Sequence, residues 1–340
     1  MIMTSLQKTA AALITDGRGL LAMDESIGTC NKRFAALNIP QTEEARKAYR
    51  FLLVTTPNLK KSVSGVILYD ETIHYRTHSG IGFAQLVHEA GLIAGIKVDS
   101  GAKKMSATNG EKVTEGLDGL RQRLAAYYSM GARFAKWRAV FSISANTPSR
   151  ACVEANANAL ARYASLCQEA GLLPIVEPEV LMAGDHSLAR CAAVTENVLS
   201  QIFAHLRVQN VVLEELILKA NMVLPGIGCV DQASTKQIAE ATYNCLLRSV
   251  PAAVPAVAFL SGGQSPKKAS ERLGAINQIG LRAPWALTFS FARALQQPAL
   301  NIWRGDEDKR GLAQQELSYW AECNRRARLG GYDVRSENVL

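Results

Sequence analysis

Eight short apolar segments alternate along the chain with longer segments of helical periodicity, and this alternation restricts the possible folds more than any other feature of the sequence. Each of the apolar segments ends in a polar or charged residue. They cover residues 19–24, 65–70, 93–99, 133–138, 173–179, 212–219, 257–261 and 285–290. Nearly continuous apolarity over so few residues is typical of strands buried on both faces, as in a parallel sheet.

The segments between them carry the apolar spacing of helices. The two clearest predicted helices are 116–130 and 151–170. The second follows residues 146–149, which offer N-cap candidates, and ends before Gly171. The other predicted helices cover 42–55, 187–209, 234–249, 265–280 and 314–329. Eight strand–helix units predict an α/β protein, a single (β/α)8 TIM barrel over residues 1–340 with a short tail from about 330. An open doubly wound sheet is the alternative, because alternation alone does not establish closure.

Composition narrows the possible partners and the location. The net charge is +8, with basic and acidic residues interspersed and only 6% aromatic residues. This pattern disfavours a nucleic-acid partner and favours small phosphorylated molecules. The longest apolar stretch, 250–260, contains two prolines and is far shorter than the roughly 20 residues of a membrane-spanning helix. We therefore expect no membrane contact, and because the first residues lack a secretory leader, we expect a cytoplasmic location.

Metal-binding patterns are missing from the sequence. The five histidines form no HExxH motif, and the seven cysteines include no CxxC pair. We therefore expect reduced thiols, no metal and no cofactor.

Three lysines, Lys97, Lys136 and Lys219, lie at the ends of predicted strands or interrupt them. In a (β/α)8 barrel the catalytic groups lie at the carboxyl ends of the strands. An amine in apolar surroundings or beside another ammonium loses its proton more easily, and a neutral amine attacks a ketone to form a Schiff base. The alternative for each lysine is a structural role, either snorkelling from a strand or pairing with an acid.

Carboxylates lie at the ends of two other predicted strands, 19–24 and 173–179. Glu177 and Glu179 are two residues apart, so a strand would point both side chains to the same face. Two close negative charges would raise one pKa, as suits a general acid or base, although both could instead be ion-pair partners of Lys136 and Lys219. Asp24 ends the first apolar segment. It could act as an acid or base or as the N-cap of a following helix, and the sequence alone favours the N-cap.

Two segments have the composition of anion-binding sites. Ser261, Gly262 and Gly263 follow the seventh predicted strand and precede a helix, so backbone N–H groups could approach a phosphate there. Ser290 and Arg293 follow the eighth strand, and phosphate sites after strands seven and eight are common in such barrels. Near the first strand, Lys32 and Arg33 offer a second cationic patch.

Seven motifs, taken together and in this order, resemble the class I, Schiff-base-forming fructose-1,6-bisphosphate aldolases. They are LLAMDES, GIKVD, FAKWR, PIVEPE, LKANM, FLSGGQS and WALTFSFARALQ, and the resemblance runs from about residue 4 to 329. It implies a metal-free (β/α)8 barrel, a homotetramer, and reversible cleavage of fructose 1,6-bisphosphate to dihydroxyacetone phosphate and glyceraldehyde 3-phosphate in glycolysis and gluconeogenesis.

The resemblance also implies a role for each matching residue. Lys219 would form the Schiff base, Glu177 would handle proton transfer during carbinolamine dehydration, and Asp24 would assist cleavage of the C3–C4 bond. Glu179 and Lys136 would support proton transfer and charge balance. The positions implied to line the site or bind the 6-phosphate side are Thr29, Lys32, Arg33, Lys97 and Arg138. Those implied for the 1-phosphate site are Ser261, Gly262, Gly263, Ser290 and Arg293.

Three alternatives stay open from the sequence. A related Schiff-base aldolase could prefer sedoheptulose 1,7-bisphosphate, which needs the same two anion sites, or a ketose 1-phosphate. A noncatalytic scaffold on the same fold would predict the loss of at least one of Lys219, Glu177, Asp24 or Arg293, and all four are present.

Overall fold

A computed structural model of the chain describes residues 3–332, which form twelve α-helices and ten strands. The first half of the chain contains α1 (Ser5–Ile14), β1 (Gly19–Ala22), α2 (Ile27–Ala35), α3 (Glu43–Val54), β2 (Val63–Leu68), α4 (Asp70–Ile73), α5 (Phe83–Glu89), β3 (Ile93–Lys97), β4 (Ala102–Lys104), β5 (Lys112–Thr114) and α6 (Leu120–Ser129). The second half contains β6 (Phe134–Phe141), α7 (Arg150–Glu169), β7 (Leu173–Val180), α8 (Leu188–Val208), β8 (Ile217–Ala220), α9 (Thr235–Ser249), β9 (Ala256–Phe259), α10 (Pro266–Ile279), β10 (Ala286–Phe291), α11 (Arg293–Trp303) and α12 (Arg310–Arg328).

Eight of the strands close into a parallel barrel. Their order is β1-β10-β9-β8-β7-β6-β3-β2, and β2 pairs with β1 to complete the ring. This closure confirms the (β/α)8 prediction and excludes the open sheet. The strands β4 and β5 form a separate antiparallel hairpin after β3. Most of the predicted tail, residues 333–340, lies outside the described residues.

One predicted strand begins too early. Within the segment 212–219 only its end joins β8, while Leu213–Glu215 form a single 3-10 turn. The side-chain amide of Gln168 donates to the carbonyls of Val212 at 2.8 Å and Glu215 at 3.0 Å, so these groups are satisfied without a neighbouring strand. Helices α1, α2, α5 and α11, of 7 to 11 residues, and the four-residue α4 were not predicted from the sequence pattern.

The amino end of the barrel is filled with apolar side chains. Leu20, Phe134 and Leu173 are buried there, and Leu13 of α1 belongs to the same apolar cluster. Gly95 leaves room for this layer, because a Cβ at that position would lie 2.1 Å from the Phe134 ring. A capping box at Thr4, whose hydroxyl accepts from the Gln7 N–H, starts α1 in the correct place. The helix α1 therefore packs across the amino end of the barrel.

None of the helices within residues 3–332 has the length and apolarity needed to cross a membrane.

Candidate active site

A cavity of about 780 Å³ opens at the carboxyl end of the barrel. All fifteen residues singled out in the sequence line it: Asp24, Thr29, Lys32, Arg33, Lys97, Lys136, Arg138, Glu177, Glu179, Lys219, Ser261, Gly262, Gly263, Ser290 and Arg293. The side chains come from segments spread over some 270 positions of sequence, and barrel closure brings them together.

Lysines and carboxylates alternate across the floor of the cavity. Lys219 Nζ lies 3.0 Å from Glu177 Oε1, Lys136 Nζ lies 3.1 Å from Glu177 Oε2, and the same Lys136 nitrogen lies 2.6 Å from Asp24 Oδ2. We call Asp24, Lys136, Glu177 and Lys219 the charged row. Lys136, Glu177 and Lys219 are no more than 4% exposed, so their interactions are only weakly screened by water.

Strand register produces the charged row. In the β6–β7 ladder Lys136 is paired with Ile175 and Arg138 with Glu177, and alternate residues of each strand face the barrel axis. Lys219 extends from β8, which neighbours β7. The lysines of β6 and β8 therefore reach the Glu177 carboxylate from both sides.

The charged row shifts the pKa values of its members in directions that the sequence did not predict. Burial alone would raise the pKa of Asp24, but the Lys136 ammonium, with smaller effects of Lys219 and Lys97, lowers it to about 2. The pKa of Glu177 is likewise below its ordinary value, since Lys136 and Lys219 outweigh the burial that opposes ionisation. The expectation that neighbouring carboxylates raise a pKa is therefore wrong for Glu177.

Lys136 departs from expectation in the same way. Burial disfavours its charge, but the carboxylates of Asp24 and Glu177 outweigh burial and raise its pKa well above the ordinary value. The prediction that clustered ammonium groups would make each lysine easier to deprotonate is therefore wrong for Lys136. Its fixed positive charge suits a group that stabilises negative charge on its neighbours.

The remaining carboxylates on this rim hold cations in place. Glu179 Oε2 lies 2.5 Å from a guanidinium nitrogen of Arg138, and Asp99 Oδ1 lies 2.6 Å from Lys97 Nζ. Asp99 also accepts a hydrogen bond from the backbone N–H of Arg138 at 3.2 Å. Asp99 was given no role from the sequence, although its position at the end of the third predicted strand was a usable signal.

The α2 side of the cavity presents a second group of polar residues. Thr29 and Lys32 are exposed there, and Arg33 is held by Glu25, with Nη1 2.5 Å from Oε1. Glu25 also pairs with Arg50 at 2.8 Å. Glu25 was not predicted as a site residue, because a role at the end of the first strand was assigned only to the adjacent Asp24.

The turn after β9 and the start of α11 form the other polar side. Gly262 and Gly263 have φ of 55° and 93°, values that favour glycine, and a Cβ at Gly263 would lie 3.2 Å from the Arg293 guanidinium. Helix α11 begins at Arg293 without a side-chain cap, which leaves backbone N–H groups available. The buried Ser290 hydroxyl beside them has no hydrogen-bond partner among the described residues.

Most cations of the cavity are already paired with carboxylates. Within residues 3–332, Lys32 and Arg293 are the two cavity-lining cations for which no ion pair is found. No group of three or more His, Cys, Asp or Glu in the same part of the chain is placed to hold a metal ion.

Comparison with known families agrees with this geometry. The sequence model of the class I fructose-bisphosphate aldolases matches residues 5–339. The chain belongs to this family. The resemblance carried by the seven motifs is thereby confirmed.

Individual aldolases cover nearly the same length. The chain is 51% identical over 319 residues to a probable class 1 fructose-bisphosphate aldolase of Xanthomonas campestris, covering 94% of this chain and 95% of that protein. It is 50% identical to cytosolic fructose-bisphosphate aldolase 4 of Arabidopsis thaliana, over 95% of this chain and 82% of that protein. A solved fructose-bisphosphate aldolase of Plasmodium falciparum, in complex with TRAP and a small-molecule inhibitor, superposes with a TM-score of 0.95 at 45% identity and covers 97% of this chain and 95% of its own.

Proposed function

We propose that this aldolase reversibly cleaves fructose 1,6-bisphosphate to dihydroxyacetone phosphate and glyceraldehyde 3-phosphate through a Schiff base on Lys219. The observation that carries the proposal is the position of the Lys219 amine, buried in the wall of the cavity and 3.0 Å from the Glu177 carboxylate. An amine beside a proton acceptor, in a cavity open to a small molecule, has what it needs to attack a ketone. This activity makes the enzyme a carbon–carbon lyase acting in glycolysis and gluconeogenesis.

The first steps build the imine. Glu177 takes the proton that Lys219 must lose, and the neutral amine adds to the C2 carbonyl to give a carbinolamine. Once Lys219 has given up its proton, its charge no longer lowers the pKa of Glu177, so the protonated form of Glu177 becomes less costly. Glu177 then donates this proton to the departing hydroxyl, water leaves, and the protonated imine remains.

Carbon–carbon cleavage uses the imine as an electron sink. Asp24, ionised because its pKa is about 2, accepts the proton of the C4 hydroxyl as the C3–C4 bond breaks. The C3–C4 bonding electrons move into the iminium, which becomes an enamine, and glyceraldehyde 3-phosphate leaves. Protonation of C3 and hydrolysis of the imine then release dihydroxyacetone phosphate and restore the amine. Lys136 stays charged between Asp24 and Glu177, and Glu179 holds Arg138 beside them.

The unpaired cations suit a substrate with two phosphates. Arg293, Ser290 and the turn at Gly262 and Gly263 would hold the 1-phosphate beside the uncapped start of α11. Lys32 would meet the 6-phosphate from α2, with Thr29, Arg33, Lys97 and Arg138 around it. A phosphate bound to an unpaired cation does not have to break an existing ion pair.

We also propose that the enzyme works in the cytoplasm as a homo-oligomer, a tetramer as its family resemblance implies. The cytosolic location named for its Arabidopsis relative supports the first part. The second part rests on membership of the family, in which homotetramers are usual. Sedimentation equilibrium would measure the subunit count, and a monomer at micromolar concentration would contradict the assembly.

Substituting the proposed nucleophile tests the activity. Lys219→Met keeps most of the side-chain volume and removes the amine, so cleavage of fructose 1,6-bisphosphate should fall to background. The matched control is Lys236→Met, since the Lys236 side chain is 83% exposed on α9 and should leave the rate unchanged. Wild-type activity should survive EDTA, because the iminium accepts the electrons. Cleavage retained by Lys219→Met, or a loss in EDTA that a divalent metal restores, would contradict the mechanism.

A further inference from the structure

Arg272 lies on α10 and has an unusual environment for a half-buried arginine. No carboxylate forms an ion pair with it among residues 3–332. Its Nε is buried without a hydrogen-bond partner, whereas its Nη1 donates to Gln264 Oε1 at 2.6 Å. Burial lowers its pKa below the ordinary value, and its neighbour Glu271 offsets part of that effect. Among residues 3–332, the hydrogen bond found for its guanidinium is the one to the side chain of Gln264.

Gln264 is the last residue of the glycine turn that follows β9. Its backbone N–H donates to the Ser261 carbonyl at 2.9 Å, which closes the turn, and the residue is only 7% exposed. Its side-chain Nε2 points to Met222 Sδ at 3.6 Å, and Met222 lies three residues after Lys219. Because Arg272 has donors only, it fixes which end of the Gln264 amide is the acceptor.

The turn held by Gln264 lies against Arg293, one of the two cavity-lining cations without an ion pair among residues 3–332. Gly263 precedes Gln264, and its Cα is so close to Arg293 that a Cβ would lie 3.2 Å from the guanidinium. A displacement of the turn by a few tenths of an ångström would therefore change the spacing between the turn and Arg293. The contacts run from Arg272 through Gln264 to the turn, and from the turn to Arg293.

We propose that Arg272 is a positioning residue that holds the Ser261–Gln264 turn, through the Gln264 side chain, in the geometry that binds the phosphate next to the reacting ketone. The inference rests on the proposed function, because it requires that a phosphate is bound at this turn. Arg272 does not line the cavity, so it acts through Gln264 and not by contact with the substrate. The hydrogen bond from a charged donor is stronger than one between neutral groups, which explains why an arginine is useful at this position.

The test compares a ketone that carries phosphate with one that does not. The rate of borohydride-trapped adduct formation on Lys219 is measured against the concentration of dihydroxyacetone phosphate and of dihydroxyacetone. In Arg272→Met the half-saturating concentration of dihydroxyacetone phosphate should rise about tenfold, while that of dihydroxyacetone stays the same. Arg272→Lys keeps a charged donor and should recover part of the difference. Lys268→Met, an exposed change on the same helix, should alter neither.

The other outcomes are distinct. Wild-type half-saturation by dihydroxyacetone phosphate in Arg272→Met would overturn the inference. An equal weakening for both ketones, together with a lower melting temperature, would assign Arg272 a structural role only and would overturn it as well. Wild-type protein that forms no adduct with either ketone would overturn the proposed function and this inference with it.

Discussion

The two ends of the barrel contain different kinds of side chain, apolar at the amino end and charged at the carboxyl end. At the amino end, Leu20, Phe134 and Leu173 form an apolar layer under α1. At the carboxyl end, the charged row lies at the bottom of a cavity of about 780 Å³. Both regions are almost fully buried, so burial alone does not distinguish them.

The difference lies in what compensates the burial. Burial of the apolar side chains at the amino end stabilises the fold by roughly 25 cal/mol per Å² of apolar surface removed from water. Charged side chains at the carboxyl end lose their hydration, and the free energy that this costs must be offset by attraction to a neighbour of opposite charge. The charged row achieves this by alternation, because Lys136 contacts two carboxylates and Glu177 contacts two ammonium groups. We infer that the amino end contributes mainly to the stability of the fold and that the carboxyl end carries the catalytic groups. A bound substrate can exchange the ion pairs of these groups for contacts with itself.

The largest effect on activity after loss of the nucleophile should come from Glu177→Gln. The amide keeps the shape but cannot take the proton of Lys219, so kcat should fall by roughly 10²- to 10⁴-fold, the usual contribution of a general acid–base group. Steady-state cleavage kinetics measure it. Glu240→Gln on α9, where the side chain is half exposed, is the control and should keep wild-type rates. A kcat within a few-fold of wild type would remove Glu177 from the mechanism.

Leu13→Ala addresses the opposite end of the barrel. Leu13 is completely buried, and its truncation should lower the free energy of unfolding by about 2–5 kcal/mol while the folded enzyme keeps its kcat. Urea titration and kinetics on the same preparation measure the two quantities. The control, Leu247→Ala, removes a half-exposed leucine of α9 and should change stability much less. A large fall in kcat with unchanged stability would contradict the division of roles between the two ends.

Arg293→Ala should produce a smaller and more selective loss. Removing a charged hydrogen-bond donor to phosphate costs about 1.5–3 kcal/mol, which corresponds to roughly 10- to 100-fold in kcat/KM for fructose 1,6-bisphosphate. Arg150→Ala, at a side chain 93% exposed on α7, is the matched control. Unchanged kcat/KM would place the phosphate elsewhere in the cavity.

The smallest expected effect is that of Asp24→Asn on the free energy of unfolding, and the size of this effect depends on pH. The folded pKa of Asp24, about 2, is below the ordinary value of 3.8, so the unfolded chain binds the extra proton first as the pH falls. The stability due to this ionisation is complete above about pH 4 and is lost as the pH falls toward 2. In Asp24→Asn this part of the pH dependence should disappear, as urea titrations between pH 3 and 6 would reveal. Asp16→Asn, at a side chain 75% exposed, should retain the wild-type slope, and an identical slope in Asp24→Asn would contradict the ion pair with Lys136.

The sequence predicts the barrel and the cavity lining well because both follow from local patterns. Apolar segments mark the strands, and polar residues at their ends must meet once a barrel closes. The early start assigned to β8 shows the limit of this reasoning, since the side chain of Gln168 satisfies the backbone of the preceding turn from a distant helix.

The pairing inside the site could not be predicted from the sequence. Whether Glu177 meets Glu179 or two lysines depends on the register of β6, β7 and β8, which no single segment encodes. This register places ammonium groups on both sides of Glu177, and the direction of its pKa shift follows from that arrangement. Glu25 received no role for the same reason, because its cationic partners Arg33 and Arg50 lie on other elements.

The most direct test of the account is to locate the covalent bond. Wild-type enzyme is incubated with dihydroxyacetone phosphate, reduced with borohydride, digested and mapped by mass spectrometry. The account predicts one modified peptide, with the added mass on Lys219 and none on Lys136 or Lys97. An adduct on another lysine, or none at all in an enzyme that still cleaves fructose 1,6-bisphosphate, would contradict it.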